Sequence, residues 1–191
     1  MKRNEIIEST IVEAKDKFRK SLDDFWPAFD NNGFNERNIT FQFARAFASR
    51  PCSCAFMEVP FLNKKSKRRN LHIDSYVFDK EVGIFIESKR LYSVEKANSI
   101  IDDIKKMNHE NISYILDELH QNNMPKSIYT LILAESWSRD INDWWVDGQS
   151  DRVQWDDGDF PEKMLYDCCE VEKWDNSSLS WLYGYRPLIL N

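Results

Sequence analysis

Three charged side chains stand inside apolar runs: Asp74 in "LHIDSYVF", and Glu87 and Lys89 in "VGIFIESKRLY". Strands with buried faces exclude charge, because an ion loses its hydration there, so residues of this kind need a reason. A hairpin turning at Lys80 and Glu81 pairs residues whose numbers sum to 161, which sets Asp74 opposite Glu87 on one face. Lys89, two positions beyond Glu87, projects to the same side. The opposition holds for a two-residue loop or for a four-residue loop, Asp79 to Val82, and is lost with three. Neither Lys80 nor Glu81 is the Asn or Gly of a tight two-residue turn, which favours the longer loop. Two carboxylates so placed repel unless one is protonated or a cation lies between them. A hard divalent cation, Mg2+ or Mn2+, suits them, held by one or two carboxylates, waters and substrate phosphate. With an ammonium beside it, such a site has the parts for cleaving a phosphodiester. The plain alternative is a half-exposed strand on which Asp74 and Glu87 face solvent and Lys89 is their cross-strand partner.

The elements that must position these residues are legible from periodicity. Apolar residues recur at helical spacing from about Glu5 to Phe25, stopping near Pro27, and the pattern resumes in "NERNITFQFARAFASR" through Ile39, Phe43, Ala46 and Phe47. "CAFMEVPFL" reads as a first strand, followed by the two strands above. "VEKANSIIDDIKKMN" is helical, and "SIYTLILAE" is the continuous apolar run of a strand buried on both faces. Beyond it, residues 136 to 191 mix acids and Trp and end in another apolar segment, "LSWLYGYRPLIL".

Taken in order, these residues resemble the PD-(D/E)xK nuclease superfamily. The match is Asp74 at the second core strand, Glu87-Ser88-Lys89 on the third, then the Val94 to Asn108 helix and the Ser127 to Glu135 strand. Glu36 stands where many members carry an acid on the helix before the first strand. Ile73 replaces the proline of the family name, which is not a ligand. The resemblance covers about Asn35 to Glu135. It implies an α/β restriction-endonuclease-like core, order αβββαβ, with a central mixed sheet of about four to five strands flanked by helices and an extra N-terminal helix. Residues 136–191 then form an acidic, Trp-rich extension packed on that core, within one domain spanning 1–191. Asp74 and Glu87 are the implied metal ligands, and Lys89 and Glu36 the further catalytic residues.

Other residues carry rival readings. Glu58, on the first strand, is a second candidate ligand or a support to the ligands. His72 shares the Asp74 face by parity, although a strand histidine is more often structural. An acid near a helix start, as at Glu36, is favoured simply by the helix dipole. Cys52, Cys54, Cys168 and Cys169 lack the knuckle spacing of a zinc site.

The chain of 191 residues carries a net charge of −6, but unevenly: residues 1–100 sum to +4 and residues 101–191 to −10. "KKSKRR" places Lys64, Lys65, Lys67, Arg68 and Arg69 within six positions, five residues before Asp74, a patch suited to nucleic-acid phosphates. No stretch has signal-peptide or membrane-spanning character, so the expectation is a cytoplasmic protein that does not engage a membrane. The reading is a magnesium-dependent endonuclease or phosphodiesterase acting on DNA rather than RNA. The alternative is an inactive module of the same fold serving in protein–protein or nucleic-acid binding, with the Trp- and Asp-rich segment Trp137 to Phe160 set against a protein partner, or in a homodimer.

Overall fold

Two amphipathic helices, α1 (Arg3–Asp24) and α2 (Glu36–Ala48), precede every strand, as their periodicity predicts. Three strands follow in an antiparallel meander: β1 (Cys54–Asn63), β2 (Arg68–Phe78) and β3 (Val82–Leu91). Helices α3 (Glu95–Lys106) and α4 (His109–Leu119) then cross over to β4 (Ser127–Ser136), which runs parallel to β3 from Val82↔Ser127 to Leu91↔Ser136. A short α5 (Arg139–Asp147) leads to β5 (Leu165–Trp174) and β6 (Ser177–Leu188). This is a computed structural model, describing residues 3–24, 36–63, 68–93, 95–120, 123–147, 165–174 and 177–189.

The described residues form an α/β fold with five helices on a mixed six-stranded sheet, ordered β1-β2-β3-β4-β6-β5. The sheet is wider than the four to five strands expected, because β6 pairs antiparallel with β4 and carries β5 outside it. Each sheet face is covered. On one, Ile7, Ile11 and Phe18 of α1 and Phe43 and Phe47 of α2 meet Ile84, Ile86, Leu131 and Trp181. On the other, Ile100, Leu116 and Trp144 of α3, α4 and α5 meet Phe85, Ile132 and Leu182. Burial on both sides explains why β3 and β4 read as continuous apolar runs. None of the described helices is long and apolar enough to cross a membrane.

The β2–β3 turn is closed by a side chain where glycine is missing. Asp79 Oδ1 accepts the backbone N–H groups of Glu81 (2.7 Å) and Val82 (2.9 Å), and Asp79 N–H donates to the Val82 carbonyl (2.9 Å). Arg50 pairs with the other carboxylate oxygen of Asp79 at 2.8 Å. Neither Lys80 nor Glu81 takes a left-handed backbone. The resulting register runs from Phe78↔Gly83 to Ser75↔Ile86, the pairing that the sequence predicts.

Candidate active site

The predicted register, extended one step past Ser75↔Ile86, brings Asp74 level with Glu87, but the backbone ladder ends before them. In its place the Ser88 N–H donates to Asp74 Oδ2 at 2.7 Å, so a side chain fills the gap where β2 and β3 part. The other flank of Asp74 is interrupted too. β1 pairs with β2 at Met57↔Ser75 and Val59↔Ile73, and between them Glu58 takes a left-handed backbone with φ 53°. An L-residue is strained there, and such strain gathers at sites where the chain is shaped for a task. Strict alternation is also lost across Asp74, since Ile73 and Tyr76, three positions apart, belong to one buried cluster. Asp74 therefore sits at a local opening of the sheet.

The neighbouring charges are arranged in pairs. Glu87, 2% exposed, is met by Lys106 of α3, whose Nζ donates to Glu87 Oε1. Lys89 Nζ lies 2.9 Å from Asp103 Oδ2, also on α3. Ser88, between them, points to the opposite face, where the Thr40 hydroxyl donates to its hydroxyl at 2.6 Å and ties α2 to the motif strand. Burial pushes the Glu87 carboxyl up to about 8, and the Asp74 charge adds to this, while Lys106 opposes it. Burial also raises Asp74 above the usual carboxylate range, against the Ser88 N–H and the Lys89 and Lys106 charges. Burial acts to lower Lys89, but Asp103 outweighs it and holds the ammonium above its ordinary value. Two carboxyls raised by burial beside cations, one of them raised further by the other's charge, are a pattern common to functional sites.

The remaining predicted residues fall into place unevenly. Glu36 begins α2, near enough for its charge to be felt by Asp74, Lys89 and Glu135. Glu58, with its left-handed backbone on β1, pairs with Arg37 of α2 at 3.5 Å. His72 is exposed and pairs with Pro60 on edge strand β1. Lys64, Lys65 and Lys67 lie outside the described residues, as do the side chains of Arg68 and Arg69 at the start of β2. The free thiols of Cys52 and Cys54 and of Cys168 and Cys169 lie at opposite edges of the sheet.

Sequence reasoning missed Asp103 and Lys106. Their signal is present: in "IIDDIKKM" they lie three apart beside the apolar stripe of α3, where a charge borders whatever the stripe covers. It also missed Glu135, which is fully buried on β4 beside Arg90 of β3, with Arg90 Nε 3.4 Å from Oε1. Neither of its oxygens accepts a hydrogen bond from the described residues, and burial raises it to about 7, with Arg90 opposing and Glu36 adding.

A hard cation fits this donor set in a particular way. Asp74 keeps Oδ1, and Glu87 keeps Oε2, outside the hydrogen bonds described above, and a positive charge already stands against Glu87 in the form of Lys106. Two carboxylates are the usual protein share of a magnesium site that waters and substrate phosphate complete. Among the described residues no group of three or more His, Cys, Asp or Glu could hold a metal alone. The residues thus suit a cation shared with substrate rather than an all-protein cage. Comparison with protein-family models, curated proteins and solved structures finds no match for this chain.

Proposed function

We propose that this protein is a metal-dependent nuclease hydrolysing phosphodiester bonds, with DNA as its substrate and a core of the PD-(D/E)xK type. The observation that carries the reading is the convergence of Asp74, Glu87 and Lys89 where the sheet opens on both sides of Asp74. The order helix, three-stranded meander, helices and a strand parallel to the third supports that core type.

Each residue has a part in this reading. Asp74 is fixed by the Ser88 N–H, and Glu87 by its seat in β3, so both present oxygens without searching rotamers. Magnesium or manganese bound to them supplies polarisation of a phosphoryl oxygen and activation of water. Lys89, held in place by Asp103, puts a compact positive charge where negative charge accumulates on the phosphorus oxygens, a contribution made mainly in the transition state. Glu36 adds negative charge at the rim, near Asp74 and Lys89. A non-catalytic module is favoured by one feature, the pairing of Glu87 and Lys89 with charges on α3, which neutralises both motif residues.

The test is incubation of purified protein with supercoiled plasmid, linear duplex, single-stranded DNA and RNA, with magnesium, manganese or EDTA. The expected outcome is divalent-dependent cleavage of DNA, abolished in Asp74→Asn. Lys89→Ala should bind DNA as the parent does and cleave at least about a hundredfold more slowly, the scale of losing one preorganised electrostatic group. Absence of cleavage by the parent on every substrate overturns the nuclease reading and leaves the module.

A further inference from the structure

Glu87 and Lys89 both project onto α3, and that helix answers them with opposite charges three residues apart, Lys106 against Glu87 and Asp103 against Lys89. Residues so spaced share one helix face, so a single element sets both pairs. The two pairs respond differently to a divalent cation. One that used Glu87 would leave Lys89 on Asp103. It would stand beside the Lys106 ammonium, and like charges at ion-pair distance repel strongly in a partly desolvated cleft. Glu87 is 2% exposed and cannot move away, whereas the Lys106 side chain is 22% exposed and carries its charge on a flexible four-carbon stem. Lys106 also ends α3, and cations are favoured at a helix C-terminus, so the ammonium keeps a stabilising place after leaving Glu87.

We propose that Lys106 is a resident counter-ion of Glu87 that a divalent cation displaces, and that the displaced ammonium serves the same site as a further phosphate-binding charge. The inference rests on Asp74 and Glu87 binding a cation, and it adds a residue outside the motif. In the free protein Lys106 is the charge that faces the buried Glu87 carboxyl. With cation bound, the site gains a second mobile positive charge beside the substrate phosphates. Cation affinity is then low without nucleic acid and rises with it, because phosphate receives the ammonium that Glu87 gives up. By reciprocity the cation raises nucleic-acid affinity by the same factor.

The test is calorimetric titration of the parent, Lys106→Met, Lys105→Met and Glu87→Gln with manganese chloride, no nucleic acid present. Lys106→Met should bind manganese at least about tenfold more tightly than the parent, since the competing charge is gone. Lys105→Met, which removes an exposed neighbour, should change affinity much less, and Glu87→Gln should bind little or none. A second measurement uses the unaltered chain, so it does not depend on Lys106→Met folding. Amine acylation read by mass spectrometry should rise at Lys106 on saturation with manganese and stay level at Lys89. Equal manganese affinity in the parent and Lys106→Met, or no rise in Lys106 acylation, overturns the proposal while binding lost in Glu87→Gln leaves the site itself standing. No manganese binding by any of the four proteins overturns both.

Discussion

At the scale of single residues, the chain concentrates poorly compensated charge at one end of β3 and β4. Glu135 is the extreme case, fully buried with an arginine at 3.4 Å and, among the described residues, no hydrogen bond to either oxygen. Its carboxyl lies near 7 in the folded state against an ordinary 4.5, so between those values the folded protein holds a proton that the unfolded chain has released. Stability must therefore fall as pH rises from about 4.5 to about 7, the reverse of the trend given by a salt-bridged carboxylate with a depressed pKa. The raised Glu87 carries the same sign to about 8. The melting temperature of the metal-free protein is expected to drop between pH 5 and pH 8, and Glu135→Gln, which does not titrate, should flatten part of that drop. An equal pH slope in parent and variant would show that Glu135 is ionised at ordinary pH. Asp74, Glu87 and Lys89 are recognisable in the sequence because their juxtaposition depends on one local hairpin register, fixed by a short turn. Glu135, Asp103 and Lys106 are not, because their neighbours arrive through a parallel pairing and a helix packed across the sheet, distances that spacing along the chain does not encode.

At the scale of elements, two backbone features shape the meander that carries the site. Glu58 bends β1 opposite Asp74 with a left-handed φ of 53°, a conformation costing an L-residue about 1–2 kcal/mol and more for a β-branched one. Glu58→Gly should leave stability unchanged within about 1 kcal/mol, since relief of strain offsets glycine's larger loss of entropy and the weak exposed pair with Arg37. Glu58→Val, in contrast, should cost at least about 2 kcal/mol by chemical denaturation, and equal stability of the two variants would argue that the kink is not enforced. Gly83, at the start of β3, has the opposite need, for space. A Cβ there would lie 2.6 Å from the Tyr76 hydroxyl and 2.9 Å from Ile128 Cδ1. Tyr76 cannot yield easily, as it stacks on Phe85 with centroids 4.1 Å apart and shares a 2.9 Å hydrogen bond with His120. Gly83→Ala should destabilise by about 1–3 kcal/mol, the usual cost of overpacking, and a neutral result would mean that the Tyr76 stack is loose. α1, α2, β1 to β4 and α3 follow from periodicity because each has a strong face or a continuous apolar core. Helix α4 and strands β5 and β6 do not, since "HENISYILDEL" is short, and β6 carries Gly184 and Pro187, both strand breakers by type. Among the described residues the pairing of β6 with β5 ends at Leu165↔Tyr185, so no described residue of β5 pairs with Pro187.

At the scale of the whole molecule, β5 and β6 belong to the sheet, and this changes what the site depends on. Read from sequence, residues 136–191 are an acidic, Trp-rich extension packed on a core ending near Glu135. In the structure β6 occupies the side of β4 away from β3, so β4 is an interior strand only while β6 is present. Strand β6 also contributes Leu179, Trp181, Leu182 and Tyr185, each at most 2% exposed, with Trp181 and Leu182 on opposite sheet faces. Trp144 and Trp145 of α5 are likewise core rather than surface, which places them beyond the reach of a protein partner. Burying a large apolar side chain stabilises by about 1.5–3 kcal/mol, so losing several of these six is comparable with the margin of about 5–15 kcal/mol on which a domain folds. A chain ending at residue 164 loses four of them, unpairs one edge of β4 and exposes Leu131 and Leu133, which pack beside Trp181 and Tyr185. It should show no cooperative thermal transition by circular dichroism, and its amide proton spectrum should lack dispersion. Adding residues 165–191 as a separate peptide should restore neither unless the peptide pairs with β4. A cooperative melt of the shortened chain would mean that helices and the first four strands suffice, and that β5 and β6 are the packed extension the sequence suggests. The site lies beside β3 and β4, the two strands whose parallel register this edge holds in place, so loss of β6 should also abolish the manganese binding proposed for Asp74 and Glu87.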